Sequence, residues 1–136
     1  MRAIAPDLFV ETPDGPRLQG GRRREGGGVV FPLPQGGERA FYEPVALSPH
    51  GRLWSWTVQR FRPKSPPYAG DEDERGFRPY AVGYVELPGE VIVEARLEFG
   101  EVEPRLGLLM RLEIVPFNHG ADGVLQSCYI FRAEGA

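Results

Sequence analysis

Cysteine is almost missing: Cys128 stands alone in 136 residues, so no internal disulfide forms and no cysteine-based zinc site can be assembled. Lysine is as scarce, with Lys64 against fifteen arginines, an imbalance expected of a GC-rich coding sequence. No apolar run approaches the ~20 residues of a membrane-spanning helix. Met1 to Asp7 meets Asp7 before any apolar stretch develops, so no secretory leader is read there and a soluble cytoplasmic protein is expected. Histidine occurs only as His50 and His119. Phosphate-binding Gly-x-x-x-x-Gly-Lys-Ser/Thr loops, Gly-x-Ser-x-Gly elbows and His-Glu-x-x-His helices are all lacking.

Glycine and proline are plentiful, at 18 and 14 residues, which suits short strands joined by turns better than a helical chain. Aromatics at 11% and hydrophobic residues at 41% provide enough apolar surface for one core. The charge is uneven. Arg17, Arg22, Arg23, Arg24 and Arg39 outweigh Glu25 and Glu38 by three, whereas Asp71 to Glu103 holds ten acids against Arg75, Arg78 and Arg96. Nucleic-acid binders carry a basic footprint on the binding face, and this acidic stretch disfavours that class.

Residues 1–16 read as an arm ending in the turn Pro13-Asp14-Gly15-Pro16. Residues 17–40 hold seven glycines around Val29-Val30-Phe31 and are expected to be mostly knuckle and loop. From Gly51 the pattern becomes β. Strands are expected at Leu53 to Val58, Tyr80 to Leu87, Val91 to Phe99, Leu108 to Val115 and Val124 to Arg132, with a Pro88-Gly89 hairpin turn. In the third, Val91, Val93, Ala95, Leu97 and Phe99 share one face while Ile92, Glu94, Arg96 and Glu98 share the other. Glu101 to Gly107 has room for one short helical turn. Five strands predict an all-β fold, a small closed or partly open barrel. Phe61 to Pro79 is a long excursion carrying Phe61, Tyr68 and Phe77 beside a run of four acids, a solvated flap or a binding loop.

Tests for chemistry return little. His119, in the expected loop Phe117 to Gly123, lies beside Asn118 and near Asp122 but has no nucleophile placed next to it. His50 falls in a Pro-His-Gly turn, and Cys128 in a strand, where a buried inert thiol is the usual outcome. No catalytic residue is assigned. Arg22-Arg23-Arg24 is the remaining chemical feature, read as a phosphate clamp, a solvated knuckle or a protein contact.

The order of several pieces is similar to a known family. Leu18-Gln19-Gly20-Gly21-Arg22 leads to Phe31-Pro32. Glu43-Pro44-Val45-Ala46-Leu47-Ser48 and Gly51 follow. Then come Arg78-Pro79-Tyr80-Ala81-Val82-Gly83, Gly107 with Leu109 to Ile114, and Tyr129-Ile130-Phe131-Arg132. Together they resemble the zinc-ribbon/OB-fold proteins associated with acyl-CoA metabolism, once a domain of unknown function. Arg23 and Gly26 stand where the first cysteine pair would fall, and no cysteine lies between Gly36 and Glu43 for the second. The resemblance therefore implies a five-stranded OB-fold barrel (48–136) after an N-terminal arm (1–17) and a degenerate, metal-free zinc-ribbon-like knuckle (18–47).

It also implies a function: a non-catalytic accessory subunit of a thiolase-superfamily enzyme, a thiolase or thiolase-like aldolase of steroid or lipid side-chain breakdown. Such a subunit binds no cofactor itself, and a CoA thioester would lie at the partner interface. Phe61, Tyr68 and Phe77 are then the candidate partner contacts. Two other readings stand beside it. In one, the chain is a stand-alone CoA or acyl-CoA binder with Arg22, Arg23 and Arg24 on phosphate. In the other, an OB-fold nucleic-acid binder stacks bases on Trp54, Trp56 and Phe61.

Overall fold

Alternating apolar residues close five strands into a barrel. The protein, seen here as a computed structural model, is described over residues 2–60, 76 and 78–136. The elements in chain order are β1 (Arg2–Ala3), β2 (Phe9–Thr12), β3 (Gly15–Arg23), β4 (Val29–Val30), a 3₁₀ helix (Gly36–Phe41), β5 (Tyr42–Ala46), β6 (His50–Gln59), β7 (Tyr80–Leu87), β8 (Val91–Glu98), β9 (Leu109–His119) and β10 (Leu125–Ala133). Antiparallel ladders join β6 to β7, β7 to β8, β10 to β9 and β9 back to β6, and a parallel ladder joins β8 to β10. This ring of five is an OB-fold barrel, as expected.

The period-two pattern of β8 is realised: Val93, Ala95 and Leu97 are buried, and Ile92, Glu94 and Glu98 are exposed. Gly89, at φ 75°, makes the turn into it, and the Glu90 amide donates to the Leu87 carbonyl at 2.9 Å. Closure falls on β6, which pairs with β9 at its start and with β7 along the rest. Two glycines permit the close approaches. A Cβ at Gly51 would stand 2.5 Å from the Glu86 carbonyl oxygen, and one at Gly83 2.0 Å from that of Ser55. A β-bulge between Leu53 and Ser55 adds one residue and reverses the parity of β6.

Four expectations need correction. Residues 17–40 are not mostly knuckle: β3 is a nine-residue strand running through Gly20-Gly21. Glycine is used there for proximity, since a Cβ on Gly20 would lie 2.6 Å from the Val30 carbonyl oxygen and one on Gly21 3.0 Å from Leu33. The arm is not free either. β1 adds in parallel to β10, Arg2 and Asp122 pair at 2.9 Å, and β2 forms a hairpin with β3. β9 continues to His119 through Pro116, because the register shift beside Ser127 absorbs the missing N–H. Glu101 to Gly107 forms turns and no helix, while the short helix lies instead at Gly36–Phe41.

One core serves the described residues. Leu18 of β3 and Leu47 after β5 pack in the same cluster as Leu53, Val85, Leu97, Met110 and Phe131. Each fully buried leucine contributes roughly 1.5–3 kcal/mol of transfer free energy. Among the described residues no helix is long and apolar enough to cross a membrane.

Candidate functional site

The ladder between β8 and β10 is short, holding only from Arg96↔Ile130 to Glu98↔Arg132. Before that point the strands part, and a side chain spans the seam: the Tyr129 hydroxyl donates to the Glu94 carbonyl at 2.7 Å. Outside the seam lies a cleft of about 800 Å³. Val82, Val115, Phe117 and Ile130 give it apolar walls, with Cys128, Glu94 and Arg96 among them. Its place beside β7 and β8, the second and third barrel strands, is the face on which OB folds most often bind ligands. The volume is within the range of small-molecule pockets.

Charges around the cleft are largely engaged. The Arg96 guanidinium stands 4.0 Å from the Tyr80 ring centroid. Arg132 Nε donates to Glu113 Oε2 across the β9–β10 ladder, and this bond holds the Glu113 carboxyl below the usual glutamate range. Burial pushes the Tyr129 phenol well above the ordinary tyrosine value, so it stays a neutral donor. Burial likewise raises the Cys128 thiol, which keeps it protonated and a poor nucleophile.

The histidines and the cysteine do not converge. His50 is exposed, with Nδ1 3.1 Å from Glu134 Oε1, and its strand position pairs with Arg111 of β9. His119 ends the same strand eight residues on, about 26 Å away at ~3.3 Å per residue. Cys128 pairs with Val115, between them. Among the described residues no group of three or more histidines, cysteines or acids is placed to hold a metal ion.

Arg22, Arg23 and Arg24 also spread apart. Arg22 donates to the Gly27 carbonyl at 3.0 Å. Arg23 lies 5.7 Å from the Phe41 ring centroid and 5.8 Å from that of Tyr42. Arg24 enters the turn, its amide donating to the Phe41 carbonyl at 2.9 Å. The bulge separates the tryptophans. Trp56 opposes Gly83 and meets Phe99 edge-on at 6.4 Å, whereas Trp54 lies in the bulge near Tyr84, so the two do not form one stacking platform. The expected contacts Phe61, Tyr68 and Phe77 lie outside the described residues.

Sequence reasoning missed Tyr129, the Arg96–Tyr80 stack and the partners of Arg23. Each depends on register or on a fold-back that no local pattern carries.

The sequence profile described as "ChsH2, C-terminal OB-fold domain" matches residues 44–115, more than half of the chain. Among solved structures, a chain of the "Ltp2-ChsH2(DUF35) aldolase" superposes with a TM-score of 0.58 at 18% identity, covering 87% of this chain and 85% of that one. At that identity the likeness is one of fold. No curated protein matches the sequence.

Proposed function

The chain belongs to the family of ChsH2 C-terminal OB-fold domains, and on that premise we propose that it is a non-catalytic accessory subunit of a thiolase-superfamily enzyme. That enzyme, a thiolase or thiolase-like aldolase, would act on acyl-CoA thioesters such as those of steroid or lipid side chains. The observation that carries the reading is the family match, supported by the shared fold with a chain of an aldolase whose name joins Ltp2 to ChsH2. The geometry is consistent with division of labour. Cys128 is held neutral, and His50 and His119 stand at opposite ends of β9, so nucleophile, base and acid are not assembled within the described residues. The spread of Arg22 to Arg24 gives a stand-alone CoA binder no convergent phosphate clamp.

The test is co-expression with a thiolase-like protein from the same organism, followed by size exclusion with light scattering. A stoichiometric complex that cleaves or forms a carbon–carbon bond on an acyl-CoA substrate is expected, with the chain alone inactive. A chain that stays apart from the thiolase-like protein, or that turns over the thioester alone, overturns the reading.

A further inference from the structure

The knuckle between β3 and β4 is tied by backbone hydrogen bonds, yet it bears a surface that nothing among the described residues covers. Its backbone is tied three times: the Arg23 amide to the Gly28 carbonyl at 2.7 Å, the Gly27 amide to that of Arg23 at 3.0 Å, and the Arg24 amide to that of Phe41 at 2.9 Å. Gly26 and Gly27, at φ 89° and 74°, supply the left-handed turn. On this frame the Arg23 guanidinium lies 5.7 Å and 5.8 Å from the ring centroids of Phe41 and Tyr42, with its Nη1 at 3.5 Å from the Tyr42 hydroxyl. Phe41 is nonetheless 55% exposed. Arg39 is paired with Asp7 at 3.3 Å, but among the described residues no carboxylate comes within 4.0 Å of the Arg22, Arg23 or Arg24 guanidinium.

We infer that this tip, formed by Arg22, Arg23, Arg24, Phe41 and Tyr42, is a docking surface for a carboxylate-bearing face of the partner protein, which rests on the accessory-subunit reading. Three features point to it. Arginine with exposed aromatics is the composition of interface hot spots. The Arg23 guanidinium lies within cation–π reach of both rings, so charge and aromatic surface are presented together. The cations are spread over successive positions instead of aimed at one point, which fits an extended acidic surface better than a single phosphate.

The experiment measures the dissociation constant of the full-length chain for the co-expressed thiolase-like subunit, from 50 to 300 mM NaCl, with coenzyme A titrated separately against the chain alone. Arg23→Ala and Phe41→Ala are expected to weaken the complex about tenfold or more, and Arg23→Lys nearly as much because an ammonium cannot stack as a plane. Arg24→Glu, in a turn and with no side-chain hydrogen bond or ion pair among the described residues, is expected to weaken the complex while leaving the melting curve unchanged. That variant keeps the test sharp if Arg23→Ala loosens the knuckle. Wild-type affinity should fall with salt, and the Arg24→Glu complex should respond less. A complex that forms normally with Phe41→Ala and Arg24→Glu overturns the docking surface while sparing the accessory-subunit reading. A wild-type chain that forms no complex overturns both. Coenzyme A binding that Arg23→Ala abolishes, with complex affinity unchanged, overturns the protein surface in favour of a phosphate ligand.

Discussion

Tyr129 joins three parts of the molecule through one side chain. Its hydroxyl bridges the seam between β8 and β10, and its ring meets Phe31 edge-on at 5.7 Å, tying the N-terminal strands to the barrel. Tyr129→Phe removes the donor to the Glu94 carbonyl and is expected to cost about 1 kcal/mol in urea unfolding. It should also change the alkaline limb. Burial raises the folded-state value, so the stabilisation is fully present below the ordinary tyrosine value near pH 10 and is lost as pH rises through the raised one. Wild type should lose stability there, and Tyr129→Phe should lose less. Glu113 carries the opposite sign. Arg132 depresses its carboxyl, so that contribution is present above the ordinary glutamate value and is lost as pH falls through the lowered one. Glu113→Gln should flatten the acid limb slightly, because the pair is partly open to water. Cys128 was legible from its strand context, and the raised thiol accords with an inert side chain. The tyrosine beside it was not legible, since the value of its hydroxyl depends on where β8 and β10 separate.

Strand β7, its hairpin turn and β8 were legible to the residue at most ends, because each has one dry and one wet face and a Pro88-Gly89 turn between them. β6 was legible as a strand but not in its facing. Leu53 opposes Val85 before the bulge and Trp56, though exposed, opposes Gly83 after it, a change of parity that an alternating pattern cannot announce. β3 was illegible for another reason: glycine reads locally as flexibility, whereas Gly20 and Gly21 are there because Val30 and Leu33 press against them. The same logic gives a test at Gly83. An added Cβ meets the Ser55 carbonyl oxygen at 2.0 Å and the Trp56 Cα at 2.7 Å, both backbone atoms that yield only if the β6–β7 ladder opens. Gly83→Ala is expected to destabilise by about 2 kcal/mol or more. Gly28→Ala, with no atom within 4 Å of the new Cβ, is expected to leave stability nearly unchanged. Equal midpoints for the two variants would show that the barrel closes with more slack than this geometry allows.

At the scale of the whole molecule, the N-terminal strands share the barrel's core through Leu18 and Leu47. Leu18 and Leu47 are 0% and 1% exposed within that core, and Cys128 is the chain's one cysteine. Purified protein should therefore carry no stoichiometric zinc by elemental analysis, and a strong chelator should leave its melting temperature unchanged, unlike domains whose folding is coupled to the metal. The same economy bears on catalysis. If a thiolase-like partner performs the chemistry, no titratable group of this chain acts as nucleophile, base or acid, and the candidates are few enough to test together. Removing a catalytic acid or base costs ~10²–10⁴-fold in rate, whereas disturbing a supporting subunit acts through assembly or substrate affinity. His50 is taken up by Glu134 at the surface, and Cys128 is held protonated beside the cleft. Cys128→Ser, His50→Ala and His119→Ala are each expected to keep turnover of the assembled complex within about tenfold of wild type. Any losses should follow the fraction of complex formed or the apparent affinity for the thioester. The decisive variant is His119→Ala, because His119 ends β9 two residues beyond Phe117, which lines the cleft. A fall of about a thousandfold in kcat for an intact, stoichiometric His119→Ala complex would place that strand end in the active site and make this chain a catalytic subunit.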